Sequence, residues 1–313
     1  MSTINYQLIK VDVQLSNIVK TYNKGQVKAV NDVSFAVEKG ELFGLIGPDG
    51  AGKTSIFRIL TTVLLPDSGT ASVNGLDIIK DYKEIRKRVG YMPGKFSLYQ
   101  DLTVKENLTF FATIFNTTME ENYDLIKDIY DQIKPFSNRP AGKLSGGMKQ
   151  KLALCCALIH KPKVLLLDEP TTGVDTVSRK EFWEMLKRLK QQGITIIVST
   201  PYMDEATLCE RIALIQVGKI MSIDTPDNII KQYPKNLYAI KAQHMSKLLR
   251  DLQTHEFVDS CNAFGEYHHI TFKNDSNDNR RLLQQFLTNN QNAEVELKQT
   301  TPTIEDCFIK LMS

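Results

Sequence analysis

A run of glycines followed by a lysine and a hydroxyl side chain has the composition of a phosphate-binding loop. The run is Gly47-Pro48-Asp49-Gly50-Ala51-Gly52-Lys53-Thr54, with Ser55 next, and it fits the pattern G-x-x-x-x-G-K-S/T in full. Glycines allow backbone N–H groups to turn toward phosphate oxygens, and a helix that starts here adds partial positive charge. We expect Lys53 to reach the β- and γ-phosphates of a nucleotide and the Thr54 hydroxyl to ligate Mg²⁺.

A second group of candidate residues is acidic. Residues 165–167 are three leucines that predict a buried strand, and Asp168 and Glu169 follow them. Sites in α/β proteins lie at the carboxyl ends of such strands. Asp168 would hold Mg²⁺ through water, and Glu169 would polarise an attacking water as a general base. The segment alone also fits a strand followed by solvated acids, but its pairing with a phosphate loop favours the catalytic interpretation.

Strands and helices in alternation must position these two groups. Apolar runs and helical spacing predict an α/β fold in which a buried strand at 42–46 ends in the phosphate loop and a helix at 53–64 follows. Further strands are predicted at 13–20, 30–37, 164–167, 195–198 and 212–217, and helices at 178–191 and 202–209. Pro201 suits the start of the last helix, with Thr200 as its N-cap. Residues 93–143 are predicted to form a helical insert with helices at 104–115 and 121–133.

The chain is expected to comprise two domains after an N-terminal lead-in at 1–12. The first domain, 13–236, carries both groups of site residues. A linker at 233–236 leads to a small α+β domain at 237–313, with strands at 237–241, near Val258 and Ile270, and at 294–297, and with helices at 245–252, 280–287 and 303–311. His268 and His269 would point to opposite faces of a strand, so no metal site is expected there.

Composition excludes several classes of protein. The chain has 313 residues with 39 Lys plus Arg and 36 Asp plus Glu, a net charge of +3, which is too balanced for a protein that coats nucleic acid. The longest apolar run, at 152–159, is far shorter than the ~20 residues of a membrane-spanning helix, and residues 1–15 are too polar for a signal peptide.

Five cysteines without a CxxC pair favour buried, reduced thiols. The sequence therefore predicts a cytosolic protein that reaches a membrane only through a partner.

A third segment makes the pattern specific. Leu144-Ser145-Gly146-Gly147-Met148 is similar to the LSGGQ signature of ABC-type ATPases, and the phosphate loop, the signature, the LLLDEP strand and Asp175 follow one another as in that family. Over 13–228 the chain resembles the nucleotide-binding subunit of an ABC exporter of the drug-efflux type, and the tail at 302–308 is similar to that branch's C-terminal extension. The resemblance implies a P-loop NTPase core with a β-subdomain and a helical insert, with ATP and Mg²⁺ as ligands.

The resemblance also implies a dimer. In the family, two ATPase domains pair head to tail, and each ATP lies between one phosphate loop and the signature of the other chain. Ser145 and Gly147 would then open a helix toward a γ-phosphate across the dimer. Tyr22 stands where the family has an aromatic that stacks on adenine, and Asp175 where an acid links the two sites. Tyr22 also fits a plain strand end, and Asp175 a helix N-terminal acid.

Two positions depart from the family and bear on hydrolysis. Gly94 stands where a Gln that senses Mg²⁺ and the attacking water is usual, and Pro201 where a His that contacts the γ-phosphate is usual. Neither residue has a side-chain hydrogen-bond donor. Asp49 replaces the commoner Asn and adds negative charge near the phosphates. We therefore predict a site that binds ATP but hydrolyses it slowly, and that pairs with a second, competent ATPase chain as a heterodimer.

The expected function is the ATP-binding subunit of an ABC transporter, peripheral on the cytoplasmic face of the membrane, which drives export by a separate multi-span subunit. The resemblance implies that the surface around Phe96, Ser97, Leu98 and Tyr99 receives a short cytoplasmic helix of that subunit, although these residues also fit an ordinary aromatic loop. The C-terminal domain is expected to serve dimerisation or regulation. The alternative is an ABC ATPase that acts on ribosomes or nucleic acid, a class whose members usually carry two ATPase domains in one chain.

Overall fold

The computed structural model describes residues 11–95 and 97–312, which divide into two compact units between Asp227 and Asn228. The strands of the first unit are β1 (Val11–Tyr22), β2 (Val27–Glu38), β3 (Leu42–Ile46), β4 (Ser68–Val73), β5 (Leu76–Asp77), β6 (Val89–Met92), β7 (Val164–Asp168), β8 (Thr195–Thr200), β9 (Arg211–Gln216) and β10 (Lys219–Asp224). Its helices are α1 (Lys53–Leu60), α2 (Tyr82–Arg88), α3 (Val104–Ile114), α4 (Tyr123–Ile133), α5 (Gly146–Leu158) and α6 (Thr176–Gln191). The short helix α7 (Pro226–Lys231) crosses the division.

A mostly parallel sheet positions the predicted site. Its strand order is β10-β9-β3-β8-β7-β6, and its pairs are parallel except for β9 with β10. Strands β3 and β7 are buried along their whole lengths, which explains why almost every residue in them is apolar. Because parallel strands end at the same edge, the loops that follow β3, β7 and β8 meet there. The predicted α/β core is confirmed.

An antiparallel sheet of order β2-β1-β4-β5 forms the predicted β-subdomain. Phe35 of β2 stacks on Phe43 of β3 with ring centroids 5.4 Å apart, so this sheet shares one apolar core with the parallel sheet and α1. Strands β4 and β5 were not predicted individually. The signal for them is the pair Asn74-Gly75, which joins them with φ values of 51° and 75° and is typical of a two-residue hairpin.

The helical insert between β6 and β7 is present, and α3 and α4 match their predicted limits to within two residues. Helix α3 begins with a capping box, in which Thr103 Oγ1 accepts from Glu106 N and Glu106 Oε2 accepts from Thr103 N at 2.8 Å. Helix α4 buries Ile126, Ile129 and Ile133, which recur at helical spacing and form its core-facing stripe.

The helix predicted at 53–64 is shorter than expected. It ends at Leu60, because Thr62 takes a left-handed backbone conformation with φ 61°. The amides of Val63 and Leu64 then bond back to the carbonyl of Arg58, at 2.9 and 3.0 Å, and close the helix end.

Two further expectations are corrected. The helix predicted at 202–209 is a 3-10 helix at Met203–Leu208, so Pro201 precedes it and does not open it. Thr200 is not its N-cap, since Tyr202 occupies that position without a side-chain cap. The lead-in expected at 1–12 is shorter, because Val11 and Asp12 already belong to β1, while residues 1–10 lie outside the described residues.

The second unit is built on one antiparallel sheet. Its elements are β11 (Leu237–Lys241), α8 (Met245–Thr254), β12 (Val258–Phe264), β13 (Tyr267–Phe272), α9 (Asn277–Asn289), β14 (Glu296–Thr300) and α10 (Ile304–Met312). The sheet order β12-β13-β11-β14 and the βαββαβ sequence describe a ferredoxin-like arrangement followed by one extra helix. The division of the chain precedes the expected boundary at 236, and the Cys307 thiol contacts the Ile229 carbonyl within this unit.

No helix within residues 11–95 and 97–312 has the length and apolar content that crossing a bilayer requires. The five cysteines are free thiols, as predicted, and four of them are buried: Cys155, Cys156, Cys209 and Cys307. Burial raises the pKa of the half-buried Cys261 thiol to about 12, which disfavours a reactive thiolate.

Candidate functional site

The phosphate loop leaves the end of β3 and leads directly into α1. Gly52 precedes Lys53 with φ 103°, a conformation that favours glycine, and it lies so close to β2 that a Cβ atom would sit 2.1 Å from the carbonyl oxygen of Ala29. A Cβ on Gly47 would likewise sit 2.2 Å from the carbonyl oxygen of Ile215. Close packing of the loop against β2 and β9 therefore requires glycine at positions 47 and 52.

Neighbouring strands hold the loop through backbone hydrogen bonds. Gly47 N donates to the carbonyl of Thr200 at the end of β8, at 3.2 Å, and Gly218 N donates to the carbonyl of Ala51 at 3.0 Å. These bonds anchor both ends of the loop and leave its central glycine, Gly50, at the surface. The loop is therefore tied at both ends to segments of the parallel sheet.

Lys53 is the buried cation of the site. Its side chain is 3% exposed, and its ammonium group donates to the carbonyl oxygens of Gly47 and Pro48 at 2.7 and 3.0 Å. The same nitrogen lies 3.2 Å from Glu169 Oε1. The charge of Lys53 is thus satisfied by two dipoles of the loop and by one carboxylate, which is what burial of an ammonium group requires.

The predicted acidic pair follows β7 and is fixed by one serine of β8. Ser199 Oγ donates to Asp168 Oδ1 at 2.6 Å, and Glu169 N lies 3.0 Å from both Ser199 O and Ser199 Oγ. Glu169 has φ 51°, an uncommon conformation for a residue that is not glycine. Its side chain is directed to Lys53 from this turn. Sequence analysis missed Ser199, although its place beside Thr200 at the end of a predicted strand was a usable signal.

A cavity of about 200 Å³ unites the two groups. Ala29, the run from Gly50 to Ser55, and Glu169 line it. The Tyr22 hydroxyl lies 3.1 Å from Ser55 Oγ, so the predicted aromatic residue stands beside the start of α1. Pocket walls made of backbone amides, one lysine, two hydroxyls and one carboxylate suit a phosphate group.

Gly94 and Pro201, the positions singled out in the sequence, lie close to the acidic pair and to the end of β8. A Cβ on Gly94 would sit 3.1 Å from the carbonyl oxygen of Asp168 and 3.7 Å from Glu169 Cβ, so position 94 borders the acidic pair. Pro201 directly follows Thr200, whose carbonyl accepts from the first residue of the phosphate loop. Neither residue supplies a side-chain donor, and Pro201 also lacks a backbone N–H.

The signature segment lies at the start of α5 and does not contribute to this cavity in the described part of the chain. Ser145 caps the helix by accepting from Met148 N at 3.3 Å, and Ser145 and Gly146 are exposed while Leu144 is buried. Gly147 packs against α6, where a Cβ would sit 2.8 Å from Ser178 Oγ. The exposed part of this helix N-terminus is therefore Ser145 and Gly146, whereas Gly147 is buried.

Asp175 caps helix α6 by accepting from Ser178 N at 3.0 Å. This backbone hydrogen bond lowers the pKa of Asp175 below its ordinary value. The capping role is present in the structure, and a role in linking two sites remains a prediction.

A larger and mostly apolar cavity of about 370 Å³ lies between the end of β6, the helical insert and α5. Tyr91, Met92, Phe111 and Phe115 are among the residues that line it, as are Ser97 and Leu98. Of the surface expected near 96–99, Tyr99 is half exposed and packs edge-on against Phe110, whereas Phe96 lies outside the described residues.

The two adjacent histidines of the second unit have separate partners. His268 Nε2 lies 2.9 Å from the Met245 carbonyl, and His269 Nδ1 lies 2.8 Å from Asp306 Oδ1. Burial raises the pKa of Asp306, but the bonds from His269 and Thr303 outweigh it and hold this pKa below its ordinary value. The histidines therefore belong to the packing of β13 against α8 and α10.

Comparison with known proteins finds relatives of this chain. Residues 30–172 match the protein-family model described as ABC transporter. Over 305 residues the chain is 37% identical to the probable multidrug ABC transporter ATP-binding protein YbhF of Escherichia coli, an alignment that covers 96% of this chain and 52% of YbhF. The chain thus spans about half the length of that relative.

Other relatives are covered over most of their length. The chain is 39% identical over 202 residues to the ABC transporter ATP-binding protein NatA of Bacillus subtilis, covering 63% of this chain and 82% of NatA. It is 37% identical over 222 residues to the Nod factor export ATP-binding protein I of Burkholderia lata, an alignment that covers 70% of this chain and 72% of that protein. The dimeric ATP-binding cassette MJ0796 with ADP and Pi superposes with a TM-score of 0.62 at 26% identity, covering 68% of this chain and 98% of that structure.

Proposed function

The chain belongs to the family of ABC transporter ATP-binding proteins, and from this premise we propose that it is the ATP-binding subunit of a membrane transporter. Its fold is the ABC ATPase fold that the sequence predicted. The observation that carries the proposal is the convergence of the phosphate loop, Lys53 and Glu169 on one cavity. In this proposal the cavity binds ATP, and Glu169 acts in its hydrolysis.

Each residue of the cavity has a role in this chemistry. Backbone amides of the loop and Lys53 bind phosphate oxygens, and Glu169 orients a water for attack on the γ-phosphorus and accepts its proton. The Thr54 hydroxyl and the Asp168 carboxylate, which Ser199 orients, form an oxygen-only donor set that fits Mg²⁺. That ion, when bound, neutralises charge on the phosphates. Tyr22 supplies a ring for the adenine.

The placement of the signature supports a head-to-tail dimer. Ser145 and Gly146 are exposed at the N-terminus of α5, and the cavity of the same chain is lined by other residues. Amides at a helix N-terminus bind anions, so this end of α5 suits a phosphate delivered by another ATPase domain. The dimeric structure of MJ0796 with ADP and Pi supports a dimer.

Gly94 and Pro201 support an impaired site in this chain. Gly94 borders the acidic pair, Pro201 follows the residue bonded to the phosphate loop, and neither offers a side-chain donor to the attacking water or the γ-phosphate. Loss of one preorganised donor lowers a catalytic rate by about 10²–10³ in comparable sites. The signature is intact, so we propose that this chain completes a competent site on a second ATPase and forms a heterodimer with it.

The apolar cavity of about 370 Å³ is the proposed contact with a multi-span membrane subunit on the cytoplasmic face. Relatives named for export and multidrug transport support a transport role, without indicating the substrate. Ile114 lines this cavity and is 54% exposed. Ile114→Asp should abolish recovery of the chain with solubilised membrane proteins. Val27→Asp is the matched control, because Val27 is 47% exposed on β2 and lies outside the cavity lining.

Single-turnover hydrolysis of ATP tests the proposed site. The purified chain should bind ATP and hydrolyse it slowly, and Gly94→Gln combined with Pro201→His should raise the rate. Gly94→Ala is the control, since it introduces the same Cβ near the Asp168 carbonyl without an amide group. Fast hydrolysis by the wild-type chain with no gain on restoration would refute the impairment, and no ATP binding at all would refute the proposed function.

A further inference from the structure

A set of hydrogen bonds outside the cavity joins the phosphate loop to the turn that contains Pro201. Gly47 N donates to Thr200 O at 3.2 Å, which ties the first residue of the loop to the end of β8. Thr200 Oγ1 donates to Glu205 Oε2 at 2.6 Å and accepts from Tyr202 N at 3.1 Å. The Thr200 hydroxyl therefore bonds both the start of the turn, at Tyr202, and Glu205 further along it.

Glu205 connects this turn to Arg179 of α6. Glu205 Oε1 accepts from Arg179 Nε and Nη2 at 3.1 and 3.0 Å, and the Glu205 side chain is only 2% exposed. The Arg179 guanidinium carbon lies 4.5 Å from the ring centroid of Tyr202. Charge-assisted bonds to a buried carboxylate together with stacking on a ring fix the guanidinium in one geometry. Neither side chain can rotate without breaking the contact.

Arg179 lies near the start of α6, where this helix contacts the signature. Arg179 N donates to the carbonyl of the cap residue Asp175 at 2.9 Å. The preceding residue, Ser178, packs against Gly147 of the signature. A continuous series of bonded or packed residues thus runs from the phosphate loop to the signature helix.

We propose that Arg179 is a positioning residue, which with Glu205 transmits a displacement of the phosphate loop on ATP binding to α6 and the signature. This inference rests on the proposed function, because it requires ATP at the phosphate loop. The connection carries particular weight in this chain, since Pro201 has no N–H group and no side-chain donor with which it could bind a phosphate directly.

Trp183 is a natural reporter for α6. It is the only tryptophan of the chain, it is 2% exposed, and it follows Arg179 by four residues on the same helix face. A shift of α6 changes the packing of this indole and hence its fluorescence. A nonhydrolysable ATP analogue is therefore expected to change the Trp183 signal of the wild-type chain, while calorimetry measures the Kd of the analogue independently.

Three variants separate positioning from stability. Arg179→Met should leave the Kd nearly unchanged and reduce the fluorescence response about fivefold. It should also lower Tm, because the buried Glu205 carboxylate loses its charged partner and keeps only the bond from the Thr200 hydroxyl. Arg179→Met combined with Glu205→Met removes both charges, so it should recover Tm while the response stays low. Arg188→Met removes an arginine that is 52% exposed on the same helix and should match the wild type.

The outcomes distinguish the inference from its premise. A full fluorescence response in Arg179→Met, or a response that returns with Tm in the double variant, would overturn the positioning role. A wild-type chain that binds the analogue with no change at Trp183 would overturn it as well. A wild-type chain that fails to bind the analogue would refute the proposed function instead.

Discussion

Replacement of Glu169 by Gln is predicted to tighten ATP binding in this protein. The ammonium group of Lys53 lies 3.2 Å from Glu169 Oε1 and also donates to two carbonyl oxygens of the phosphate loop. In the proposed function the same ammonium group must reach the phosphates of ATP. Phosphate oxygens therefore compete with Glu169 for Lys53, and removal of the carboxylate charge removes the competitor.

The magnitude follows from this distance. Two unit charges 3.2 Å apart attract by about 5 kcal/mol at an effective dielectric constant of about 20. The net effect is smaller, because Glu169 is 22% exposed and Gln can still accept a hydrogen bond from Lys53. Hydrogen bonds to charged groups contribute about 1.5–3 kcal/mol net. We therefore expect a gain of about 1–2 kcal/mol, or a Kd for ATP about five to thirty times lower.

Calorimetric titration with a nonhydrolysable ATP analogue and Mg²⁺ measures this change. Asp49→Asn is the matched control, since it also removes one negative charge from the loop region but leaves the contact between Lys53 and Glu169 in place. The gain for Glu169→Gln should exceed the gain for Asp49→Asn. Equal gains would mean that each variant acts only by removing the repulsion between its carboxylate and the phosphates of ATP. Competition between Glu169 and the phosphates for Lys53 would then be refuted.

Three further predictions follow from packing and charge. Gly52→Ala should cost at least about 3 kcal/mol of unfolding free energy and abolish ATP binding, because its Cβ would sit 2.1 Å from a carbonyl oxygen of β2. Gly50→Ala, which has open space around it, should cost about 1 kcal/mol, and denaturant unfolding compares the two variants. Ser199→Ala should cost about 1–3 kcal/mol, since Asp168 loses its buried donor, and should weaken the Mg²⁺ dependence of ATP binding measured by titration. Hydrogen bonds from Lys20 and Thr21 lower the pKa of Asp67 from 3.8 to about 2, so the contribution of Asp67 to the free energy of unfolding is present above pH 4 and lost as the pH falls toward 2. The free energy of unfolding of Asp67→Asn, measured in urea, should therefore depend less on pH across that window than that of the wild type.

Elements with local signals were predictable from the sequence. Strands β3 and β11 occupy the predicted residues, because a short apolar run between polar or glycine residues defines a buried strand. Helix α3 begins where predicted, since a capping box marks its first turn. The phosphate loop and the acidic pair were located for the same reason, because each is a continuous segment whose residue types carry its chemistry.

Elements that depend on distant partners were missed or misjudged. Strand β10 is only half-buried and lies at the edge of the sheet, so its residues carry no clear apolar alternation. The segment after Pro201 forms a 3-10 helix although its sequence alone resembles an ordinary helix. Its Glu205 accepts from Arg179 of α6, a partner that lies 26 residues away and that no local pattern indicates.

The amino-acid sequence by itself determined the family of this protein and the kinds of groups that its site contains, because continuous motifs specify both. Only the tertiary structure decided which of these groups meet. Ser199 orients Asp168 across two parallel strands, and Lys53 meets Glu169 from a different loop. The exposed residues Ser145 and Gly146 of the signature are not among the described residues that line the cavity of their own chain. These contacts depend on the order of the strands in the sheet, in which β8 pairs with both β3 and β7. No local sequence pattern indicates that order.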